Sequence, residues 1–278
     1  MLLTAPDILE AELLRTCVDI VITTFNRKEV VGHAIDSALS ALADNVIVVD
    51  DASTDGTHEF LAEKYRGNKK VQLHRCVKNI GVTGAKNVGF RISLANWVLF
   101  LDSDDTIIPS QAQRAFEILN KEIERPIVFF RCIDESGEFV GLNRGQQIDL
   151  DLECYLTHGS YGEVLTAINK KMLIKQPYVK KLRGYEGLGC ARLIKKFGPA
   201  LLSAIEFRIY DQSGSDRLTR TQLFSERTRL IAQGHKMLCN EFNDIMPIWW
   251  TLKLKLKMSI YLIFYSVFKL SNRLCSLS

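Results

Sequence analysis

Three short apolar runs, each followed by polar residues, constrain the fold more than any other feature of this sequence. They are VDIVIT at 18–23, NVIVVD at 45–50 and WVLFLD at 97–102. Each is apolar without alternation, which is typical of strands covered on both faces of a parallel sheet. Helical patterns separate them, so the sequence predicts an α/β fold with a mostly parallel sheet flanked by helices.

Weaker patterns complete the predicted order of elements. In the first half, helices are expected at 28–42, from Thr57 and at 85–94, with a further strand at 71–75. In the second half, apolar segments predict strands at 126–130, 164–168 and 200–210, a helix that includes 191–197, and another at 221–239.

Polar motifs follow three of the predicted strands. They are TTFNR, DDASTDGT and DSDD. Because ligands of open α/β sheets collect at the carboxyl ends of the strands, we expect these motifs to converge on one rim. Thr54 or Asp55 is expected to cap the helix from Thr57, and a helix is expected to start at Pro109 and Ser110.

The DSDD motif places several carboxylates close together. A divalent cation relieves the repulsion between them, and hard oxygen ligands favour Mg²⁺ or Mn²⁺, which could hold a diphosphate. The alternative is an acidic loop that caps the next helix through Asp105 and Ser110. In the second motif, Asp51 is expected to accept a hydrogen bond from a nucleotide base, whereas Asp55 has a structural role.

The cysteines and the first residues bear on the compartment. The seven cysteines are scattered, odd in number and form no CxxC pair, so they indicate neither a disulfide framework nor a zinc site. The segment MLLTAPDILEAELLRT has acids where a secretion signal carries basic and then apolar residues. We therefore expect a cytoplasmic protein.

The segment after Asp244 is the most unevenly charged part of the chain. It has five basic residues and no acid, although the net charge of the whole chain is only +4. A nucleic-acid-binding protein would spread basic residues over its folded body. We therefore predict no nucleic-acid partner, and a membrane surface as the partner of residues 245–278.

This segment also combines tryptophans and lysines with an uncharged run from Met258 to Phe268. A helix of that run is about 16 Å long, short of the roughly 30 Å hydrocarbon core. Trp249, Trp250 and the lysines suit the headgroup level, so an amphipathic interfacial or re-entrant helix is predicted, peripheral to the cytoplasmic face. A buried helix pair that completes the soluble domain, or a dimer contact, is the alternative.

Four motifs in order resemble the family 2 glycosyltransferases with the GT-A fold, of the type that builds bacterial surface polysaccharides. They are IVITTFNR at 20–27, VVDDASTDGT at 48–57, NIGVTGAKN at 79–87 and LFLDSDD at 99–105. The resemblance is strong over residues 17–110 and weak over 110–210. It implies a Rossmann-like GT-A domain at 1–220, with a nucleotide-sugar half at 17–110 and an acceptor-side half at 111–220, before a helical membrane-associating segment at 221–278.

The resemblance implies donor-binding roles for residues at matching positions. The loop Thr23, Thr24 and Phe25 contacts the nucleotide, and Asp51 binds the base. The DxD motif binds ribose and metal through Asp102, Ser103 and Asp104, with Asp102 and Asp104 as the ligands of Mn²⁺ or Mg²⁺.

Further positions follow from the same resemblance. Lys86 stands where relatives often have arginine, near the diphosphate, and a solvated helix lysine is the alternative. Glu186, six residues before Arg192, resembles the catalytic base, although Tyr185 replaces the first acid of the usual pair. A glutamate that complements the helix dipole is the alternative for Glu186. Arg217 or Arg220 matches a loop that closes over donor phosphates; an ordinary surface loop is the alternative.

The resemblance implies an inverting, metal-dependent hexosyltransferase that moves a sugar from a nucleotide sugar, with UDP favoured, to a glycan or lipid-linked acceptor. In such a transfer a carboxylate takes the proton of the acceptor hydroxyl. A catalytically inactive GT-A scaffold tethered to the membrane is the alternative, because the acidic pair is incomplete. A second copy of the chain, in a homo-oligomer, is a further candidate partner. A nucleotidyltransferase is disfavoured, because TTFNRKE lacks a glycine-rich basic loop.

Overall fold

The structure, a computed structural model, describes residues 16–173, 175–180, 182–211 and 224–275, with side chains 228–266 in the last range. Within these residues nine strands form one sheet. The strands are β1 (Val18–Thr24), β2 (Asn45–Asp50), β3 (Val71–Arg75), β4 (Trp97–Asp102), β5 (Thr106–Ile107), β6 (Ile127–Asp134), β7 (Ile148–Leu150), β8 (Val164–Asn169) and β9 (Ala200–Tyr210). The helices are α1 (Val31–Ser40), α2 (Thr57–Lys64), α3 (Val82–Ile92), α4 (Ala112–Lys121), α5 (Leu152–His158), α6 (Glu186–Phe197), α7 (Phe224–Phe242) and α8 (Ile248–Cys275).

The first four strands are parallel, as the sequence predicts. The sheet order is β3-β2-β1-β4-β8-β6-β9-β5, and β7 pairs with β9. Along β1, Thr24 lies opposite Asp50 of β2, and Thr23 lies opposite Asp102 of β4. The ends of these three strands therefore meet at one rim, which confirms the expected convergence of the polar motifs.

The second half of the sheet is mixed, which corrects the prediction of a mostly parallel sheet for this region. Strand β8 is antiparallel to both of its neighbours, β4 and β6, while β5 and β7 are antiparallel to β9. A chain that enters the sheet without a crossover helix can reverse its direction, and the apolar pattern of a buried strand does not record that direction.

The core lies on both faces of the sheet because every second residue of a strand points to the same side. Ile20 and Ile22 pack into one apolar cluster, and Val21 between them packs into the other. On the Val21 side α3 lies close to the strand. A Cβ at Gly89 would be 2.3 Å from Val21 Cγ1, so this approach needs glycine.

One predicted helix start differs from the structure and one agrees. The helix expected from residue 28 begins at Val31, because the Arg27 carbonyl first accepts the N–H groups of Val30 and Val31 in a turn. Helix α2 begins at Thr57 as predicted. Gly56 occupies the N-cap position with φ +84°, and the Asp55 carboxylate, one residue earlier, accepts the Thr57 N–H at 3.0 Å. Asp55 therefore satisfies the first N–H of the helix, although it is not the N-cap residue.

Helices α7 and α8 form a hairpin that packs on α6. Leu188 and Ala191 of α6 are buried with Cys239 and Phe242 of α7 and with Leu254 of α8. The outer side of α8 is not covered by the described residues. Among the described helices, none is long and apolar enough to cross a membrane.

Candidate functional site

A cavity of about 990 Å³ opens at the rim where the polar motifs meet. Its walls come from the ends of β1, β2 and β4, from α3 and α6, and from the first described side chains of α7. Among the described residues, all those assigned to donor binding or catalysis from the sequence line it: Thr23, Thr24, Phe25, Asp51, Lys86, Asp102, Ser103, Asp104 and Glu186.

The first and second loops of the rim are fastened to each other by hydrogen bonds. The Asn26 N–H donates to Ser53 Oγ at 2.9 Å, and the Thr54 N–H donates to Asn26 Oδ1 at 2.8 Å. Asn26 has φ +53°, a conformation that asparagine tolerates better than most residues. The Thr23–Phe25 segment is therefore held in place by its neighbouring loop.

Asp55 joins the same two loops and does not line the cavity. Its carboxylate accepts the Thr57 N–H at 3.0 Å and the Lys28 N–H at 3.3 Å. Slight burial raises its pKa, but the hydrogen bonds from Thr57 and Lys28 lower it more, so the pKa lies below its usual value. Asp55 has the structural contacts that the sequence predicts for it.

Asp51 connects the second loop to the segment before α3. Its two carboxylate oxygens accept the N–H groups of Ile80 and Gly81, each at 2.8 Å. Burial raises the pKa of Asp51 although these hydrogen bonds oppose the rise. A carboxylate offers about four acceptor positions, so Asp51 retains capacity for a donor group in the cavity.

The start of α3 forms the wall next to Asp51 and carries Lys86. Its first turn contains no acid, and the N-terminus of a helix favours anions. Lys86 is 8% exposed, and its Nζ lies 2.9 Å from Asp102 Oδ1. Burial lowers the pKa of Lys86, but Asp102 and Glu186 raise it more. The alternative of a solvated helix lysine is therefore wrong.

Strand β9 contributes a buried guanidinium that the sequence did not reveal. Arg208 is 3% exposed; its Nη1 lies 3.2 Å from Asp105 Oδ2 and 4.0 Å from Asp102 Oδ2. Burial alone would raise the pKa of Asp102, but Lys86 and Arg208 hold it below its usual value. Burial raises the pKa of Asp105 to about 7 against the effect of Arg208.

Asp104 differs from Asp102 in its surroundings. It forms no ion pair with the residues that the structure describes, and burial followed by the charge of Asp102 raises its pKa. Within the same residues, no three metal-ligating side chains come together. Mg²⁺ is usually held by one or two carboxylates plus substrate phosphates. Asp104 with Asp102 beside it fits a cation that shares its ligands with a diphosphate.

Glu186 lines the cavity at the start of α6. It is the first residue of α6, and its charge is close enough to raise the pKa of Lys86. Its carboxylate forms no hydrogen bond or ion pair with the part of the chain that the structure describes. A carboxylate in this position could accept a proton from a hydroxyl group bound in the cavity. The alternative, a favourable contact with the helix dipole, is compatible with the same position.

Several charged residues of the cavity were not predicted. Arg208 could have been suspected from its place near the end of an apolar strand, where other strands carry the polar motifs. Three more cations, Arg27, Arg183 and Arg229, also line the cavity, together with Glu163. The phosphate-contacting arginines suspected from sequence, Arg217 and Arg220, lie outside the described residues.

Comparison with known proteins identifies a family for more than half of the chain. The model of Glycosyl transferase family 2 matches residues 19–182, more than half of the chain. The succinoglycan biosynthesis protein ExoO of Rhizobium meliloti (strain 1021) is 34% identical over 102 residues, 36% of this chain and 29% of that protein. The Escherichia coli UDP-Glc:alpha-D-GlcNAc-diphosphoundecaprenol beta-1,3-glucosyltransferase WfaP is 30% identical over 110 residues, 38% of this chain and 42% of that protein. The matches therefore span less than half of either relative.

Solved structures share the fold at low sequence identity. S. aureus TarS 1-349 in complex with UDP-GlcNAc has a TM-score of 0.65 and 15% identity, over 88% of this chain and 71% of that one. The mannosyltransferase PcManGT from Pyrobaculum calidifontis, in complex with GDP-Man and Mn²⁺, has a TM-score of 0.60 and 12% identity, over 95% and 81%. These similarities support the predicted α/β fold with flanking helices.

Proposed function

Because the chain belongs to glycosyl transferase family 2, we propose that it transfers a sugar from a nucleotide-diphosphate sugar to a glycan or lipid-linked acceptor. One observation carries the proposal: the ends of three parallel strands, the start of α3 and Glu186 all line a single cavity of about 990 Å³. That volume is at the upper end of the range for small-molecule sites, as a nucleotide sugar and an acceptor group together require.

In this proposal, each part of the donor has its own set of residues in the cavity. Asp51 binds the base, and Thr23, Thr24 and Phe25 lie along the nucleotide. The diphosphate lies against the positive start of α3 and Lys86. Asp102, held by Lys86 and Arg208, faces the ribose together with Ser103. The donor is thereby fixed before the acceptor arrives.

Glu186 provides the proton acceptor of the reaction. Its carboxylate takes the proton of the acceptor hydroxyl while the hydroxyl oxygen forms a bond to the anomeric carbon. The bond from that carbon to the diphosphate oxygen breaks, and the nucleoside diphosphate leaves with the electron pair. Attack opposite the leaving group inverts the configuration. A divalent cation bound by Asp104 and Asp102 would stabilise the charge of the departing diphosphate.

We favour UDP as the nucleotide and Mn²⁺ or Mg²⁺ as the cation. Two relatives are named with UDP-linked sugars, the E. coli glucosyltransferase and the S. aureus protein bound to UDP-GlcNAc. The archaeal mannosyltransferase is described with GDP-Man and Mn²⁺, so GDP is the competing choice.

A thermal-shift experiment tests the donor site. UDP, GDP, dTDP and CMP are each added to the purified protein with and without Mn²⁺. A ligand that binds only the folded state raises the melting temperature. We expect a Mn²⁺-dependent rise with one nucleotide that is lost in Asp104→Ala. Glu117→Gln, an exposed change on α4 away from the cavity, should keep the rise. No rise with any nucleotide would favour the inactive scaffold.

We further propose that α8 binds the cytoplasmic face of a membrane. Five of the eight exposed large apolar residues that the structure describes on α8 recur every three or four residues, so these five lie on one side of the helix. They are Trp249, Leu252, Leu256, Ile260 and Ile263, and the other three are Ile248, Leu262 and Phe264. By the same geometry Lys253 and Lys257 flank this stripe on one side, and Lys255 lies on the other.

The lysines beside this apolar stripe favour a lipid surface as its binding partner. An apolar face bordered by lysines, with tryptophan at one end, matches the acyl and headgroup regions of an anionic bilayer. The same hairpin supplies Arg229, Leu230 and Ile231 to the cavity. A membrane-bound hairpin would therefore hold the cavity close to lipid, where a lipid-linked acceptor would be found. A second copy of the chain is the competing occupant, and oligomeric state distinguishes the two.

A further inference from the structure

Tyr185 is the residue that joins the proposed base to the C-terminal hairpin. It directly precedes Glu186 and occupies the N-cap position of α6. Its carbonyl accepts the Leu188 N–H at 3.1 Å, so its backbone belongs to the first turn of the helix. A displacement of the Tyr185 ring would therefore also move the first turn of α6, which starts with Glu186.

The ring of Tyr185 is held from the hairpin side by two neighbouring residues of α7. Its hydroxyl forms a hydrogen bond with His235 Nδ1. A Cβ at Gly234 would be 2.4 Å from Tyr185 Cδ1, so the ring lies directly on the backbone of α7. This contact exists only because residue 234 is glycine.

His235 itself is fixed on several sides. It is 7% exposed, and its Nδ1 lies 2.8 Å from the Ile231 carbonyl oxygen. Its ring centre lies 5.9 Å from that of Tyr261 on α8. The contact to Tyr185 therefore reaches through α7 to both helices of the hairpin.

We propose that Tyr185, held by Gly234 and His235, is a positioning residue that sets the carboxylate of Glu186 against the reacting hydroxyl. This inference rests on the proposed role of Glu186 as the base. The proposal also gives a role to Tyr185, which stands where the usual pair has its first acid. Its side chain fixes the start of α6 to α7 and does not supply a second charge. The hairpin is then needed for the reaction, whereas donor binding depends on the sheet.

The chain offers a matched control at the same helix interface. Arg192 of α6 forms two hydrogen bonds with Glu241 of α7, at 2.7 and 2.5 Å. This pair also joins α6 to the hairpin, but it lies more than one helical turn after Glu186. Glu241→Gln therefore weakens the interface without moving the start of α6.

The test measures nucleoside diphosphate released by water from UDP-glucose, UDP-GlcNAc and GDP-mannose with Mn²⁺. Tyr185→Phe, Gly234→Ala, Glu241→Gln and Glu186→Gln are compared with the native chain for kcat, for KM of the donor and for melting temperature. A displacement of about 1 Å can cost about 100-fold in rate. We expect a loss of that order for Gly234→Ala and a smaller loss for Tyr185→Phe, both in kcat with KM unchanged. Glu241→Gln should lower the melting temperature and leave kcat unchanged.

A double variant shows whether the effect passes through Glu186. In the Glu186→Gln background, Tyr185→Phe should reduce the residual rate no further. An equal reduction in both backgrounds overturns the proposal, as does a loss of kcat in Glu241→Gln as large as that in Tyr185→Phe. Full activity of Glu186→Gln overturns the base assignment and this inference with it. Loss in Glu186→Gln with full activity in Tyr185→Phe and Gly234→Ala overturns the positioning role alone.

Discussion

The donor side of the cavity and the C-terminal hairpin border the same space but are held in different ways. On the donor side, loops are fixed by hydrogen bonds between neighbouring strand ends, such as those of Asp51 with Ile80 and Gly81. The hairpin is fixed by side chains on α6, chiefly the Tyr185 and Arg192 contacts. The proposed donor site is thus part of the central sheet, whereas the proposed base Glu186 lies at the junction between the sheet domain and a separately packed helix pair.

This difference predicts that binding and reaction can be separated by mutation. Changes in the sheet should alter donor binding and stability together. Changes of Tyr185 or Glu186 at the junction should alter the rate without altering donor binding, and changes on the outer face of α8 should alter neither the rate nor donor binding. Four predictions test this separation, beginning with the largest expected effect.

Glu186→Gln should lower the rate of sugar transfer by about 100- to 10,000-fold, because general base catalysis contributes this much. The Mn²⁺-dependent thermal shift by nucleotide should be unchanged, since the Glu186 carboxylate forms no hydrogen bond or ion pair with the described residues to which donor binding is assigned. Measured together, rate and thermal shift separate reaction from binding. If the shift is lost as well, the two regions are not independent.

Arg208→Met should destabilise the fold by about 3–5 kcal/mol, because it leaves the buried Asp105 carboxylate without its cation. Asp105 lies 3.2 Å and Asp102 4.0 Å from this guanidinium. Nucleotide binding should weaken in the same variant, as Asp102 loses its position. Denaturant unfolding and the thermal shift give the two values. Arg144→Met, which breaks an exposed pair with Glu206, is the control and should change neither by much.

Leu252→Gln combined with Leu256→Gln should abolish binding to vesicles of phosphatidylglycerol and phosphatidylcholine. Each buried leucine is worth about 1.5–3 kcal/mol, and these two are 59% and 64% exposed in the protein. Stability and soluble transfer should be unchanged. Leu254→Gln, at a 5% exposed position on the inner face, is the matched control and should lower the melting temperature instead. A native chain that dimerises and ignores vesicles would identify a second copy as the occupant.

The smallest of the four effects is expected from acid, which should lower the free energy of unfolding through His235 at the junction. Burial lowers the pKa of His235, a hydrogen bond to the Ile231 carbonyl opposes this, and Lys257 lowers it further; Tyr185 and Tyr261 also face the ring. Since the folded pKa lies below the usual 6.5, the unfolded chain binds the proton more tightly. The stabilisation is present above pH 6.5 and falls as pH drops through the folded pKa. Unfolding of the native chain should therefore show an acid-dependent loss that His235→Gln lacks.

The sequence predicts the rim of Asp51 and Asp102 well, because the patterns that place these residues are short and local. Unbroken apolar strands followed at once by polar residues place Asp51 and Asp102 at one rim, once the strands are known to be parallel. The register then brings Thr23 opposite Asp102. Nothing beyond short-range pattern and the general rule for such sheets is needed to predict this part of the site.

The contacts between distant segments could not be predicted in this way. Arg208 reaches Asp102 only because β9 pairs with β6 through two shifts of register, and no periodic pattern records such shifts. Likewise, the contact between Tyr185 and His235 joins residues 50 positions apart. Lys86 and Arg208 hold Asp102, whereas Asp104 forms no ion pair with the described residues, and this difference also depends on long-range packing. The motif alone does not distinguish the two aspartates.

The reversed direction of β8 has a consequence for which part of the chain can vary. Because β8 runs against β6, the chain leaves the rim after Asp134 and returns to the same rim at Val164. In between, β7 pairs with β9 and Leu150 is buried, so this part of the connection belongs to the frame of the sheet. The mostly exposed residues 135–147 can be lengthened, shortened or exchanged with less disturbance to the strands beneath them.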